Sequence, residues 1–193
     1  MIRTNEQAPK LNLPLLNGNN DESSFDTSKL DENGIMTIIV FYRGKHCPIC
    51  IGYLADIESK YDSILQAGLR IVAVSMDDAE RTSETASAVA KSLGLDDSSK
   101  LRLPLAHGLS IDEARQWGLY LSSARAGTSE PSVYSEPGLF VLNNESGKVF
   151  MASVQSAPFT RPDIEQLVGG LQFAIEHKYP TRGTYVVDSD ADA

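Results

Sequence analysis

Apolar residues along this chain form continuous runs that alternate with helical stripes. Residues 35–42 and 69–75 are continuous apolar runs rich in β-branched side chains, a pattern typical of strands buried on both faces of a parallel sheet. Apolar residues at helical spacing follow each run, over residues 48–67 and 78–93. Because crossovers between strands of one sheet are right-handed, this order predicts parallel strands packed against helices.

The middle of the chain predicts short elements and one long loop. Residues 102–106 indicate a short strand, which tolerates Pro104 only at an edge or an end. Residues 112–117 indicate a short helix. Residues 122–134 predict a mobile loop that is long enough to be a lid or a partner surface, although most such loops are only connections.

The last third of the chain predicts a hairpin followed by a helix. Residues 138–142 and 148–154 flank a turn rich in Asn, Ser and Gly, which indicates two antiparallel strands. Residues 160–177 predict the last helix, with Thr160 as its N-cap and Pro162 in its first turn. A βαβ half joined to a ββα half predicts an α/β fold, a thioredoxin-like three-layer sandwich with a central mixed β-sheet flanked by helices.

The two ends of the chain differ from its centre in composition. Residues 1–34 are rich in Asn, Asp, Gly and Ser and predict an extended N-terminal lead-in packed on the domain, with a small hairpin over residues 18–20. Residues 35–185 form the predicted thioredoxin-like domain. Residues 186–193 contain three Asp and predict a solvated, disordered acidic tail.

Composition and charge narrow the class of protein. The 193 residues are 41% hydrophobic and 22% charged, which is ordinary for one globular domain. The net charge of −9 argues against binding to nucleic acid or to an anionic membrane. The first residues lack a signal-peptide core, and the longest apolar run is too short to cross a bilayer. We therefore expect a protein of the reducing cytoplasm.

The chain has two cysteines, and they stand together as Cys47-Pro48-Ile49-Cys50. The predicted strand before them and Pro48 at a first helical turn place the pair at a strand-to-helix junction. Unsatisfied N–H groups and the positive end of the helix dipole favour a thiolate there. Lys45 and a protonated His46 would add positive charge. The pattern predicts that Cys47, nearer the exposed helix start, attacks first and that Cys50 resolves the product.

Two other interpretations of the cysteine pair are weaker. A zinc site needs about four ligands, and the chain has no second cysteine pair. The three histidines, His46, His107 and His177, show no ligand spacing to one another. A buried pair with only a structural role is the other alternative. Redox chemistry without a metal or an organic cofactor is the favoured prediction.

Four segments of the chain resemble one known family. Residues 41–50, 135–142, 161–164 and 179–184 are similar to peroxiredoxin-like members of the AhpC/TSA (alkyl hydroperoxide reductase and thiol-specific antioxidant) family. The resemblance covers residues 8–185 in element order. It implies an antioxidant oxidoreductase that reduces a hydroperoxide or a disulfide and is restored by an external thiol donor, thioredoxin- or glutathione-like. A homodimer is one expected assembly.

The chain also departs from the pattern of that family. In the family register the peroxidatic position falls on Cys50, and the usual Thr or Ser position falls on Cys47. The usual Arg position before Gly138 is occupied by Pro137. Thioredoxin-like proteins carry a cis-proline there, so the resemblance implies a cis Pro137. A CxxC pair facing a Pro favours thioredoxin-like dithiol–disulfide exchange, whereas the resemblance over the whole chain implies a hydroperoxide as the oxidant. The two acceptors are weighted almost equally, with the hydroperoxide named first.

Two polar residues beside the pair have open roles. His46 is the nearest titratable candidate for proton transfer, or else an exposed loop histidine without a role. Arg43 either holds an anionic substrate or sulfenate, or forms a salt bridge with an acidic neighbour, which we favour. A third hypothesis makes the protein a non-catalytic redox sensor in which residues 122–134 report the state of the cysteines to a partner.

Overall fold

The computed structural model describes residues 2–18, 23–31 and 34–186, and a mixed five-stranded sheet lies at its centre. The strand order is β5–β4–β3–β8–β9. These strands are β3 (Met36–Phe41), β4 (Leu69–Val74), β5 (Leu105–Ala106), β8 (Gly138–Asn143) and β9 (Val149–Val154). Strands β3, β4 and β5 pair in parallel, whereas β8 is antiparallel to both β3 and β9.

Helices cover both faces of this sheet. They are α1 (Pro48–Ser59), α2 (Tyr61–Gln66), α3 (Ala79–Ser92), α4 (Ile111–Gln116) and α5 (Ile164–Glu176), with a 3-10 turn at Ser98–Lys100. One apolar cluster joins the sheet to α1, α3 and α5. A second cluster lies on the opposite face and centres on Trp117, whose ring packs against Phe41 and Phe140. The prediction of an α/β thioredoxin-like three-layer sandwich is confirmed.

The N-terminal segment packs on the second cluster. Strands β1 (Asn12–Pro14) and β2 (Ser24–Asp26) form an antiparallel pair, and Leu11 and Leu13 are buried. The turn expected at residues 18–20 lies mostly outside the described residues, as does the predicted acidic tail beyond Val186.

The helix predicted over residues 48–67 is interrupted at Lys60. The Lys60 N–H donates to the Ile57 carbonyl, three residues back, and its ψ angle of 7° leaves the helical range. Helix α2 therefore starts after this break and packs beside β4. Tyr61 and Ile64 are buried on this second helix and continue the apolar period, which hides the break in the sequence.

The last helix begins later than predicted. Asp163, not Thr160, is its N-cap, and the Asp163 carboxylate accepts the Gln166 N–H at 2.9 Å. The Thr160 hydroxyl donates instead to the Ala157 carbonyl. A residue that precedes proline is disfavoured in helical conformation, so Arg161 stays outside the helix.

The prediction of a loop throughout residues 122–134 is wrong at both ends. Strands β6 (Leu121–Ser123) and β7 (Val133–Ser135) pair in an antiparallel hairpin. Only the tip of this segment is irregular, and its Glu130 side chain is 3% exposed. The hairpin ends next to the segment that leads from β3 to the cysteines.

Candidate active site

The two cysteines open helix α1 and are joined by a disulfide bond. Cys47 is the N-cap, and its sulfur accepts the Cys50 N–H at 3.3 Å. The helix start therefore places both sulfurs at its positive end, as predicted. Cys47 is 3% exposed and Cys50 is 0% exposed. In this disulfide state the expected greater accessibility of Cys47 is almost absent.

An arginine that the sequence did not single out as a site residue contacts the pair. The Arg161 Nη2 group donates to the Cys50 sulfur at 3.2 Å, across 111 positions of sequence. Its Nη1 group donates to the Pro158 carbonyl at 2.7 Å, and the guanidinium lies over the Tyr53 ring at 5.2 Å from the centroid. A cation at this distance stabilises a thiolate on Cys50.

The position of Arg161 follows from its local sequence. Pro162 keeps it out of α5, and the Tyr53 hydroxyl donates to the Pro162 carbonyl at 2.9 Å, which fixes the segment against α1. In the sequence, Arg161 stands out only as part of residues 161–164, one of the segments that resemble the AhpC/TSA family. An arginine before a proline and an N-cap was the one available signal, and it does not say what the arginine contacts.

Arg161 keeps its positive charge at neutral pH. Burial lowers the pKa of Arg161 to about 10, while the nearby Tyr53 and Glu136 act in the opposite direction and Arg43 adds to the lowering. Among the described residues, no carboxylate lies within 4.0 Å of the Arg161 guanidinium. The Cys50 sulfur, 3.2 Å from Nη2, can carry a compensating charge when it is a thiolate.

The Arg43 side chain contacts Tyr134 and two carboxylates, Glu130 and Glu136. Its Nη2 group donates to the Tyr134 hydroxyl at 2.5 Å and to Glu130 at 3.4 Å. Its Nε atom lies 3.6 Å from the Glu136 carboxylate, which also accepts the Ser122 hydroxyl at 2.6 Å. Of the two roles considered for Arg43, the structure shows the salt bridge.

His46 is partly buried, so the alternative of an exposed loop histidine is wrong. Its ring packs on Tyr134 at a centroid distance of 4.6 Å, and both ring nitrogens are buried without a hydrogen-bond partner. Burial, followed by the Arg43 charge, lowers the pKa of His46. This shift favours the neutral imidazole over the protonated His46 that was considered from the sequence.

Lys45 is directed away from the cysteines. Its ammonium group pairs with Glu84 at 2.5 Å, and its backbone N–H donates to the buried Asp77 carboxylate at 2.8 Å. Lys45 was expected to add positive charge beside Cys47. In the structure its contacts with Glu84 and Asp77 anchor the loop instead.

The expected cis bond before Pro137 is wrong, because the Glu136–Pro137 bond is trans. The Glu136 N–H donates to the Tyr120 carbonyl at 2.8 Å and so extends the hairpin by one residue. The chain then continues directly into β8, where Gly138 lies opposite Phe41. The cis-proline geometry of thioredoxin-like proteins is therefore not formed at Pro137.

Two further properties concern the described part of the chain. Within residues 2–18, 23–31 and 34–186, no three His, Cys, Asp or Glu side chains are grouped closely enough to hold a metal ion. None of the helices in the same ranges combines the length and the apolar character that a bilayer span requires.

Comparisons with known proteins show which family profile and which folds this chain is similar to. The profile of the AhpC/TSA family matches residues 4–150. Among solved structures, a peroxiredoxin 6 of Arenicola marina superimposes with a TM-score of 0.73 at 11% identity, over 91% of this chain and 74% of that one. No curated protein matches the sequence.

Two more structures share the fold. A yeast mitochondrial 1-Cys peroxiredoxin has a TM-score of 0.70 at 11% identity, covering 96% of this chain and 84% of its own. AhpC of Enterococcus faecalis has a TM-score of 0.66 at 17% identity, covering 97% and 100%. At such low identities the likeness of the structures shows the fold.

Proposed function

The chain belongs to the AhpC/TSA family, and from this premise we propose that it is a thiol-dependent antioxidant enzyme that reduces hydroperoxides with Cys47 and Cys50. The observation that carries the proposal is the disulfide between these residues at a helix start, with the Arg161 guanidinium on one of its sulfurs. That arrangement supplies a stabilised thiolate and a partner sulfur within bonding reach.

The cycle balances with the two sulfurs, a peroxide and a thiol donor. The Cys50 thiolate attacks the terminal peroxide oxygen, the O–O bond breaks, and the alkoxide or hydroxide leaves and takes a proton. The Cys47 thiol then attacks the resulting sulfenic acid, which forms the disulfide and releases water. Two thiols of an external donor reduce the disulfide by exchange and are themselves oxidised to a disulfide.

We assign the first attack to Cys50 rather than to Cys47. The Arg161 contact at 3.2 Å favours ionisation of Cys50, and Cys50 also occupies the family's peroxidatic register. The sequence-based preference for Cys47 relied on its accessibility, and that advantage is small because both sulfurs are buried in the disulfide.

A second candidate function is reduction of protein disulfides. The observation that favours it is the bonded Cys47–Cys50 pair three residues apart, which is suited to dithiol exchange whatever the oxidant. The trans bond before Pro137 weakens this alternative, since the thioredoxin-like geometry expected there is missing.

The deciding experiment compares the variants Cys47→Ser and Cys50→Ser. We expect Cys47→Ser to accumulate a sulfenic acid on Cys50 after one equivalent of peroxide, detected by dimedone adduct mass, and Cys50→Ser to form none. The wild-type protein should consume hydrogen peroxide repeatedly with dithiothreitol as donor. A single equivalent consumed without turnover would establish the sensor, and insulin reduction without peroxide turnover would establish the disulfide reductase.

The proposal also includes the thiol donor, the cellular location and the oligomeric state of the protein. A thioredoxin- or glutathione-like donor and a cytoplasmic location fit a chain whose two cysteines form the redox pair. A homodimer is supported by Phe173 and Tyr179, two exposed aromatic residues that lie 6.4 Å apart. Cell fractionation and sedimentation equilibrium test these two assignments separately.

A further inference from the structure

The disulfide state leaves a buried positive charge without a direct counter-charge. In this state the Cys50 sulfur that Arg161 contacts is neutral. The Arg161 Nε atom is buried without a hydrogen-bond partner, and among the described residues no carboxylate lies within salt-bridge distance of the guanidinium. A partly buried cation in this position is unfavourable until an anion forms beside it.

We infer that Arg161 makes the Cys47–Cys50 disulfide an oxidising one, easily reduced, because reduction places the thiolate of Cys50 against the unpaired guanidinium. The inference rests on the proposed function, since it takes this pair as the working dithiol. The attraction between the guanidinium and the thiolate stabilises only the reduced protein, because the disulfide carries no charge. Arg161 therefore shifts the exchange equilibrium as well as the rate of attack on peroxide.

The exchange that follows has a defined proton balance. A donor with two thiols gives up two electrons and two protons and becomes a disulfide. The protein takes up both electrons but only one proton, on Cys47, while Cys50 remains a thiolate. One proton is released to solvent, so the equilibrium constant for reduction rises about tenfold per pH unit while Cys50 is ionised.

Glu136 acts against Arg161 in this balance. The residue is 6% exposed, and one oxygen of its carboxylate has no hydrogen-bond partner. The other charged and titratable groups acting on the guanidinium are Arg43, which precedes α1, and Tyr53 on α1. Because Glu136 supplies part of the missing negative charge, it reduces the advantage of forming the thiolate.

The test measures the exchange equilibrium with dithiothreitol by alkylation and mass spectrometry at pH 7. Arg161→Gln removes the charge and should lower the equilibrium constant for reduction by about tenfold or more, since a nearby opposite charge shifts an acidic pKa by about 1–3 units. Arg161→Lys should retain most of the wild-type value. Glu136→Gln should move the constant in the opposite direction, upward.

The equilibrium constant should fall in Arg161→Gln and rise in Glu136→Gln, and these opposite changes distinguish an electrostatic effect from damage to the fold. Arg115 is exposed on α4, and Arg115→Gln is the matched control that should stay within about twofold of wild type. Between about pH 6 and about pH 7.5, the wild-type constant should rise with pH while that of Arg161→Gln stays flat. A wild-type constant that does not rise, or an Arg161→Gln constant within twofold of wild type, overturns the inference.

These results are independent of peroxide turnover. A protein with the predicted equilibrium shifts and no peroxide consumption would disprove the proposed function and leave the role of Arg161 intact. A protein that turns over peroxide, but whose disulfide equilibrium is unchanged in Arg161→Gln, would support the proposed function and disprove the role of Arg161.

Discussion

Arg43 and Glu130 face each other at 3.4 Å and join the tip of the β6–β7 hairpin to the segment that carries the cysteines. The Glu130 side chain is 3% exposed and also accepts the backbone and side-chain N–H groups of Arg125. Tyr134 completes the connection, because it accepts a hydrogen bond from Arg43 while its ring lies on His46. This hairpin thus packs against the segment that leads to the two cysteines.

The Glu130 interactions should make hairpin stability depend on pH. Bonds from Arg125, backbone and side chain, lower the pKa of Glu130 to about 2, from 4.5. Since the folded pKa is depressed, the stabilisation is complete above about pH 5 and is lost as the pH falls from about 4.5 through about 2. Urea unfolding of Glu130→Gln should therefore show a lower midpoint than wild type at pH 7.

The difference between the two proteins should disappear near pH 2. Glu145 lies in the exposed turn between β8 and β9, and Glu145→Gln is the matched control with an unchanged midpoint at both pH values. A midpoint difference for Glu130→Gln that persists unchanged to pH 2 would contradict the assignment.

Glu58 clamps helix α1 to the chain that leads into β5. Its carboxylate is 5% exposed and accepts the Leu103 N–H at 2.8 Å and the Arg102 N–H at 3.1 Å. Glu58→Gln keeps the size but removes the charge and one acceptor, so it should cost about 1–3 kcal/mol of unfolding free energy. Asp62→Asn is the control, because Asp62 is 69% exposed and its loss should cost less than about 0.5 kcal/mol. Equal losses in chemical denaturation would rule out the clamp.

The sequence predicted the centre of the fold because its strands are continuous apolar runs. Residues 36–41 and 69–74 are buried in nearly every position. A continuous apolar run is therefore enough to predict each of these strands. The break at Lys60 was hidden because Tyr61 continues the apolar period of α1. The β6–β7 hairpin was missed because each strand has three residues, too few to show an alternation.

The candidate site was predicted only where its residues are close in sequence. Cys47 and Cys50 are three positions apart, and their helical context is local. Arg161 comes from 111 positions away and reaches Cys50 through the packing of its segment on Tyr53. Glu136 likewise depends on tertiary contacts, because nothing in its local sequence indicates that it is buried beside Arg43.

Gly44 allows the loop before the cysteines to pass close to Asp77. Its φ angle is +123°, and an added Cβ would lie 2.5 Å from the Asp77 carboxylate. Gly44→Ala should therefore displace Asp77 from the Lys45 N–H, destabilise the protein by more than about 1 kcal/mol and slow peroxide turnover. Gly94→Ala has a positive φ but open space around it, so it should lose stability without loss of turnover. Thermal unfolding and a peroxide assay on the folded fraction distinguish the two.

The contact between Arg161 and Cys50 predicts which sulfur ionises first in the reduced protein. Iodoacetamide alkylation followed by peptide mass spectrometry gives a separate pH profile for each cysteine. In wild type, Cys50 should react with the lower apparent pKa, and in Arg161→Gln that pKa should rise by about 1–3 units, since the guanidinium favours the charged form. Cys47 should shift less, because its sulfur takes its hydrogen bond from the helix backbone at 3.3 Å. If Cys47 has the lower pKa in wild type and Arg161→Gln leaves the order unchanged, the first attack belongs to Cys47.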